Sequence, residues 1–170
     1  SAGTTGVDWT GMRVRRQLLE KFTDNPEAWE GKTAKEIRAV AGDDRALFWG
    51  KDHFVAVGDN TKFEQGLATV KWNNRRSDGK PTNSTYEVDG DFFLLRAAEA
   101  YLNFVEADIR LNGTCSEKAK GYIDDIRNRA HATAHLTYSL EDVLDERSRE
   151  FYCEGYRRTD LIRFGQYGGN

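Results

Sequence analysis

Residues 92–111 read FFLLRAAEAYLNFVEADIRL, and this stretch decides the fold class. Leu95, Ala98, Leu102, Val105 and Ile109 recur at alternating spacings of three and four, the period of one face of an α-helix. Leu94, Ala97, Tyr101 and Phe104 form a second apolar stripe beside the first. Arg96, Glu99, Asn103, Glu106 and Arg110 fill the remaining face. Two adjacent apolar stripes predict a helix that packs against neighbours on two sides. The small residues Ala97, Ala98 and Ala100 permit a close approach.

The sequence on either side extends this reading. Asn112-Gly113 supplies a helix stop. Thr114-Cys115-Ser116-Glu117 fits a capping box for a second helix, with Ala119, Tyr122, Ile123, Ile126 and Ala130 as its buried stripe. A link this short predicts an antiparallel hairpin, the unit from which tetratricopeptide-like solenoids are built. Ser139-x-x-Asp142 opens a third helix, with Leu140, Val143, Leu144 and Phe151 on its buried side. Gly155 is expected to loosen or kink it, and the helical pattern resumes through residues 156–164. Were this helix antiparallel to the second, Cys153 would approach Cys115 closely enough for a disulfide.

Residues 1–90 have another character. They carry both prolines and all four tryptophans, and their apolar runs are short. Helices are expected over 13–22 and 34–40, and short strands over 46–49, 54–57 and 67–72. Residues 73–84, NNRRSDGKPTNS, read as an exposed loop. The expected architecture is therefore mainly α. It comprises one region over 1–170: an irregular half with short strands over 1–90, then a tetratricopeptide-like hairpin plus a third helix over 91–165.

Composition narrows the function classes. With 25 Lys+Arg against 28 Asp+Glu, both signs interspersed, there is no basic track for nucleic acid. No apolar run is long enough to span a bilayer. Two cysteines do not make a disulfide scaffold or a metal motif. His131 and His135 stand four apart in HATAH, without the glutamate of a zinc-protease motif, and read as a solvated linker. No phosphate-binding loop, dinucleotide fingerprint or nucleophile elbow is present. No cofactor or metal is expected.

Two sets of residues carry the candidate chemistry. Arg147, Glu150, Glu154, Arg157 and Asp160 place charge on an apolar helix face. Buried charges persist only when paired. One reading is a catalytic carboxylate pair; the other is a structural network in which guanidiniums hold the carboxylates ionised. The near-equal numbers of the two charges favour the network, with Arg147 buried and paired to Glu150, Glu154 or a group outside the helix. The second set is aromatic. A tryptophan face suits a sugar ring, with hydroxyls bonded at the rim. Trp72 abuts the polar loop and Trp9 lies in a glycine-rich segment, whereas Trp29 and Trp49 suit a core equally well. The expected ligand surface is Trp9, Trp72, Asn73, Asn74 and Arg75.

The stretches FFLLRAAEAYLNFVEADIRLNG (92–113), AKGYIDDIRNRA (119–130) and SLEDVLDERSREFYCEGYRRTDLIRFG (139–165) resemble the C-terminal helices of the SusD/RagB family. The most specific residues are Glu146-Arg147, Glu150, Glu154-Gly155, Arg157, Asp160-Leu161 and Arg163. Asp44-Arg45 and Lys62-Phe63 stand where the family's D-x-R turn and lysine-aromatic strand are expected. The resemblance implies a surface-exposed lipoprotein of the bacterial outer membrane. Such a protein captures glycans or other nutrients without catalysis and sits as a lid on a SusC-like, TonB-dependent transporter. Family members are longer and carry a signal peptide and an acylated cysteine. This sequence is therefore expected to be a C-terminal fragment whose lipid anchor lies outside it. A peptide ligand in place of a glycan, or a helical-repeat module that binds only protein, are the alternatives.

Overall fold

The computed structural model describes residues 12–72, 76, 78, 80, 82–84 and 91–168. They fall into two compact units. One takes in the residues up to Ala41 and from Ala46 to Phe93; the other combines Gly42–Arg45 with the chain from Leu94 onward.

The first unit is built on a three-stranded antiparallel sheet of order β1-β3-β2. β1 is Arg13–Val14, β2 is Phe48–Trp49, and β3, the central strand, is Leu67–Thr69. Arg13 pairs with Ala68, and Phe48 with Thr69. The strands are shorter than the sequence predicts. Residues 54–57 contribute only an isolated bridge, Phe54 to Gln65, and Lys62-Phe63 lies in a turn. The helix expected over 13–22 is split: Arg13–Val14 joins the sheet, and only Arg16–Leu19 (α1) is helical. The backbone of Val14 meets β3, and that pairing overrides the local helical period. A 3-10 turn, Pro26–Trp29, and α2, Ala34–Ala41, complete the unit. Thr33 caps α2, its backbone N–H donating to the Glu36 carboxylate at 2.7 Å.

Packing in this unit centres on Phe48. Trp29, 2% exposed, stacks on it at 5.8 Å between ring centroids, and Phe22 meets its edge at 5.4 Å. Trp29 is therefore a core residue. Gly50 fits because the chain crosses over the Trp29 carbonyl there: its N–H donates to Lys32 O at 2.8 Å, and a Cβ would run into Trp29 O.

The second unit is helical. α3 spans Ala97–Asn112, α4 Glu117–Arg129, α5 Leu140–Phe151 and α6 Arg157–Arg163. Ala98, Leu102, Val105 and Ile109 pack with Ala119, Ile123, Ile126, Val143, Phe151 and Tyr138 in one core. α3 begins at Ala97, not residue 92, and the N-terminal ends of both predicted stripes stay outside it: Leu94 and Leu95 are 79% and 83% exposed. Arg96 is extended, at φ −132°, because its guanidinium is drawn to carboxylates of α5 and the turn after it. Gly113 ends α3 at φ 73°. The cap of α4 is Ser116, which accepts from Ala119 N, rather than Thr114; Asp108 fixes Ser116 by accepting its backbone N–H at 2.8 Å. The capping box at Ser139 and Asp142 is present as read.

Side-chain pairings fix the helix directions. Arg96 meets Glu154 and Asn103 meets Arg147, so α5 runs antiparallel to α3. Tyr138 meets Asp124, Arg127 meets Glu146 and Arg129 meets Glu150, so α5 runs parallel to α4. The linker between α4 and α5 doubles back along α4, held by Arg127 donating to Thr133 O at 2.8 Å. This removes the premise of a Cys115–Cys153 bridge: the two lie at opposite ends of the parallel helices, and no disulfide joins them. Gly155 does more than kink a helix. Cys153 (φ 62°) and Gly155 (φ 86°) reverse the chain. α6 then returns along α5, with Arg157 donating to Leu144 O and Gln166 meeting Glu141. Among the described residues no helix is long and apolar enough to cross a membrane.

The contact at Gly50 yields a direct test. Gly50→Ala is expected to destabilise the first unit by about 1–3 kcal/mol, since the added methyl meets backbone that cannot move aside. Gly113→Ala meets nothing within 4 Å and is expected to lose only the left-handed cap, about 1 kcal/mol. Denaturant titration of the two variants checks the order.

Candidate functional site

The charged face predicted for the third helix is the polar centre of the helical unit. Glu146 is fully buried on α5. Its Oε1 accepts from Arg45 at 2.7 Å, and its Oε2 from Arg127 at 2.6 Å and Arg149 at 3.0 Å. One turn on, Glu150 accepts from Arg96 at 2.8 Å and Arg129 at 2.7 Å, with Arg45 at 3.2 Å. Glu154 takes both arms of Arg96 at 2.9 Å. Arg45 is held in turn by a two-armed bond to Asp43, and its carbonyl accepts from the Tyr152 hydroxyl at 2.8 Å. The Asp44 N–H donates to Ala130 O, so the 42–45 turn is pinned to the end of α4.

A second cluster ties down α6. Arg147 and Asp160, both buried, form an ion pair with Nε 2.9 Å from Oδ2. The contact is off the line of a hydrogen bond; Nη1 of Arg147 donates instead to Asn103 at 2.9 Å. Arg163 bridges Asp160 and Glu106, each at 2.9 Å. Arg157 donates to the Leu144 carbonyl at 3.1 Å. Arg96 and Arg147 also lie over the Phe151 ring, at 4.9 and 5.3 Å from its centroid.

Of the five charged residues singled out in the sequence, the structure places Glu150 and Glu154 in the first cluster and Arg147 and Asp160 in the second, with Arg157 beside it. Sequence reasoning missed Glu146, Arg45, Arg127 and Arg129 as members. The pairs that join them across elements span 19 to 105 positions of the chain. The local signal was the 3–4 spacing of Glu146 with Glu150. Glu106 belongs to the polar stripe of α3; it is buried, and α6 supplies Arg163 to it.

The electrostatics favour ionised carboxylates. Burial alone would raise the pKa of Glu150, but hydrogen bonds from Arg129 and Arg96 outweigh it and bring the group down to about 2. Burial also opposes ionisation of Glu146 and Glu106; guanidiniums at each of them prevail, and both are held below the ordinary carboxylate value. A general acid must keep its proton near neutral pH. Carboxylates held down by two or three guanidiniums do the opposite.

The histidines do not converge. His131 faces Asp44 at 2.8 Å, while His135 stacks on Tyr138 and sits 3.7 Å from Asp142. No group of three or more metal-ligating side chains occurs among the described residues. A cavity of about 690 Å³ lies at the end of the helical unit, between Ile109, Arg110, Thr114, Tyr138 and Leu140.

Of the expected ligand surface, Trp9, Asn73, Asn74 and Arg75 lie outside the described residues. Trp72 is 39% exposed, and the Lys71 ammonium lies 5.8 Å from its ring centroid. Beyond it, Arg76 grips Asp78 with two bonds of 2.8 and 3.0 Å.

Two tests follow from the network. Glu146→Ala takes from the buried Arg127 its carboxylate partner and is expected to cost roughly 3–5 kcal/mol in denaturant unfolding. Acid unfolding checks Glu150. Its pKa in the folded protein lies below the ordinary 4.5, so its contribution is complete above pH 4.5 and is lost as the pH falls towards 2. Glu150→Gln is expected to flatten the stability–pH curve over that window.

The profile of the SusD family matches residues 10–170. The chain is 40% identical over 199 residues to the starch-binding protein SusD of Bacteroides thetaiotaomicron, an alignment that covers 99% of this chain and 35% of that protein. It thus spans about a third of that relative's length. Among solved structures it is similar to surface glycan-binding protein A from Bacteroides uniformis. The TM-score is 0.50 and the identity 25%, over 76% of this chain and 27% of that one.

Proposed function

Because this chain belongs to the SusD family, we propose that it is part of a cell-surface protein that captures glycans and does not cleave them. The observation that carries this reading is the 40% identity to a starch-binding protein across almost the whole chain. The protein is a lipid-anchored component of the outer membrane and passes its ligand to a SusC-like, TonB-dependent transporter. The anchor provides its only membrane contact, and it uses neither cofactor nor metal. The charged centre supports the absence of catalysis, since its carboxylates are committed to guanidiniums.

Ligand contact falls to the first unit. Trp72 offers a partly exposed indole face, and Trp9, Asn73, Asn74 and Arg75 are the other residues assigned to ligand contact. The helical unit need not touch ligand.

Titration of the full-length protein with soluble polysaccharides tests this reading. Trp72→Ala is expected to weaken binding about tenfold, equivalent to about 1.4 kcal/mol, with no change in melting temperature. Unchanged affinity would remove Trp72 from the site. Release of reducing sugar by the purified protein at an enzymatic rate would overturn the non-catalytic assignment.

A further inference from the structure

Two further exposed aromatic residues of the first unit lie in and beside the turn formed by residues 58–66, GDNTKFEQG. Phe63 in this turn and Phe54 beside it are each 54% exposed. Their backbones are neighbours: Phe54 N–H donates to Glu64 O at 2.8 Å, and Gly66 N–H returns to Phe54 O at 2.8 Å. Phenylalanine has no polar tip to hold in water, so an uncovered ring of this kind is apolar surface that a ligand can still bury.

The turn is held far more firmly than most surface loops. The Arg13 guanidinium reaches out from β1 and donates to three of its carbonyls: Asn60 at 2.9 Å, Gln65 at 2.7 Å, and Lys62. The Gln65 side chain accepts from Gly58 N and Asp59 N, both at 2.7 Å. The Asp59 carboxylate accepts from Thr61 N and from its hydroxyl, which lowers its pKa. Below the turn, the buried His53 ring pairs with Gly66 O at 3.0 Å. Gly66 sits at φ 86°, tight against Val14 O, where only glycine fits without strain. Arg13 also lies over the Phe63 ring, 5.5 Å from its centroid. The ring is thus backed on one side and bare on the other.

We propose that Phe54 and Phe63 form a stacking subsite for a sugar ring of the captured glycan, in addition to Trp72. The chemistry matches that ligand class. Flat apolar faces meet the C–H side of a pyranose, and a rigid mount avoids the ordering cost that a loose loop would incur on binding. The exposed Asn60, Lys62 and Glu64 belong to the same turn and carry donors and acceptors that hydroxyls can use. A protein partner would instead favour a larger apolar patch with few hydroxyl-matching groups. The inference rests on the glycan-capture reading above.

The test uses the full-length protein titrated calorimetrically with a panel of soluble polysaccharides that includes starch. Phe63→Ala and Phe54→Ala are each expected to weaken binding three- to tenfold while the melting temperature holds. Phe63→Trp, which keeps a flat face, is expected to bind like wild type. Val40→Ala removes another exposed apolar side chain of the same unit and is expected to change nothing. If Phe63→Ala lowers the melting temperature, Phe63→Leu decides: it keeps the bulk and lacks the ring, so weaker binding supports the subsite and full affinity overturns it. Wild-type binding with both alanine variants unaffected overturns the subsite and leaves glycan capture standing. A wild-type protein that binds no member of the panel overturns both.

Discussion

Everything in the helical unit is arranged around Glu146, a carboxylate with no exposed surface. An ionised group in that position must have its charge matched inside the protein, because isolated burial is prohibitive. Three arginines meet the demand, one from the 42–45 turn, one from α4 and one from α5 itself. Glu150 and Glu154 extend the requirement to Arg96 at the mouth of α3 and Arg129 at the end of α4. Each pair constrains two elements at once. The network thereby dictates that α5 runs parallel to α4, and that a short turn distant in sequence belongs to the helical unit.

The helices were legible because they are periodic and because caps are local chemistry. Ser139 and Asp142 lie three residues apart, so their box can be read directly. The limits of that reading have definite physical causes. Leu94 and Leu95 continue the apolar period of α3, yet Arg96 is extended towards Glu150 and Glu154, and the helix starts only after it. The direction of α5 was hidden for a similar reason. It depends on the linker after α4 folding back under Arg127 and Tyr138, which no local pattern announces. The split of residues 13–22 came from pairing between Val14 and Leu67, a contact across more than fifty positions. In the candidate site, the charged stripe on α5 could be seen in the sequence, but most of its cations came from three other segments: the 42–45 turn, Arg96 and α4.

Division of labour between the two units follows. The helical unit commits Glu146, Glu150 and Glu154 to arginines. The sheet unit keeps its largest rings inside, Trp29 and Phe48, and presents others at its surface, Trp72, Phe54 and Phe63. Its turns are set by side-chain to backbone bonds, as in Arg13 with the 58–66 turn. Under the proposed function, such a surface would recognise a ligand by shape and stacking. Membership of the SusD family fits a protein that holds its ligand without transforming it.

The ionisation state of α5 tests this account most directly. In carbon-13 NMR of protein labelled at glutamate carboxyls, followed from pH 7 down to pH 2, the Glu150 signal is expected to titrate near pH 2. Glu146 is expected to begin titrating only below the ordinary glutamate range. A carboxyl on α5 that takes up its proton near neutral pH would contradict the account, since it would be a group available for acid catalysis and not a committed partner of arginine.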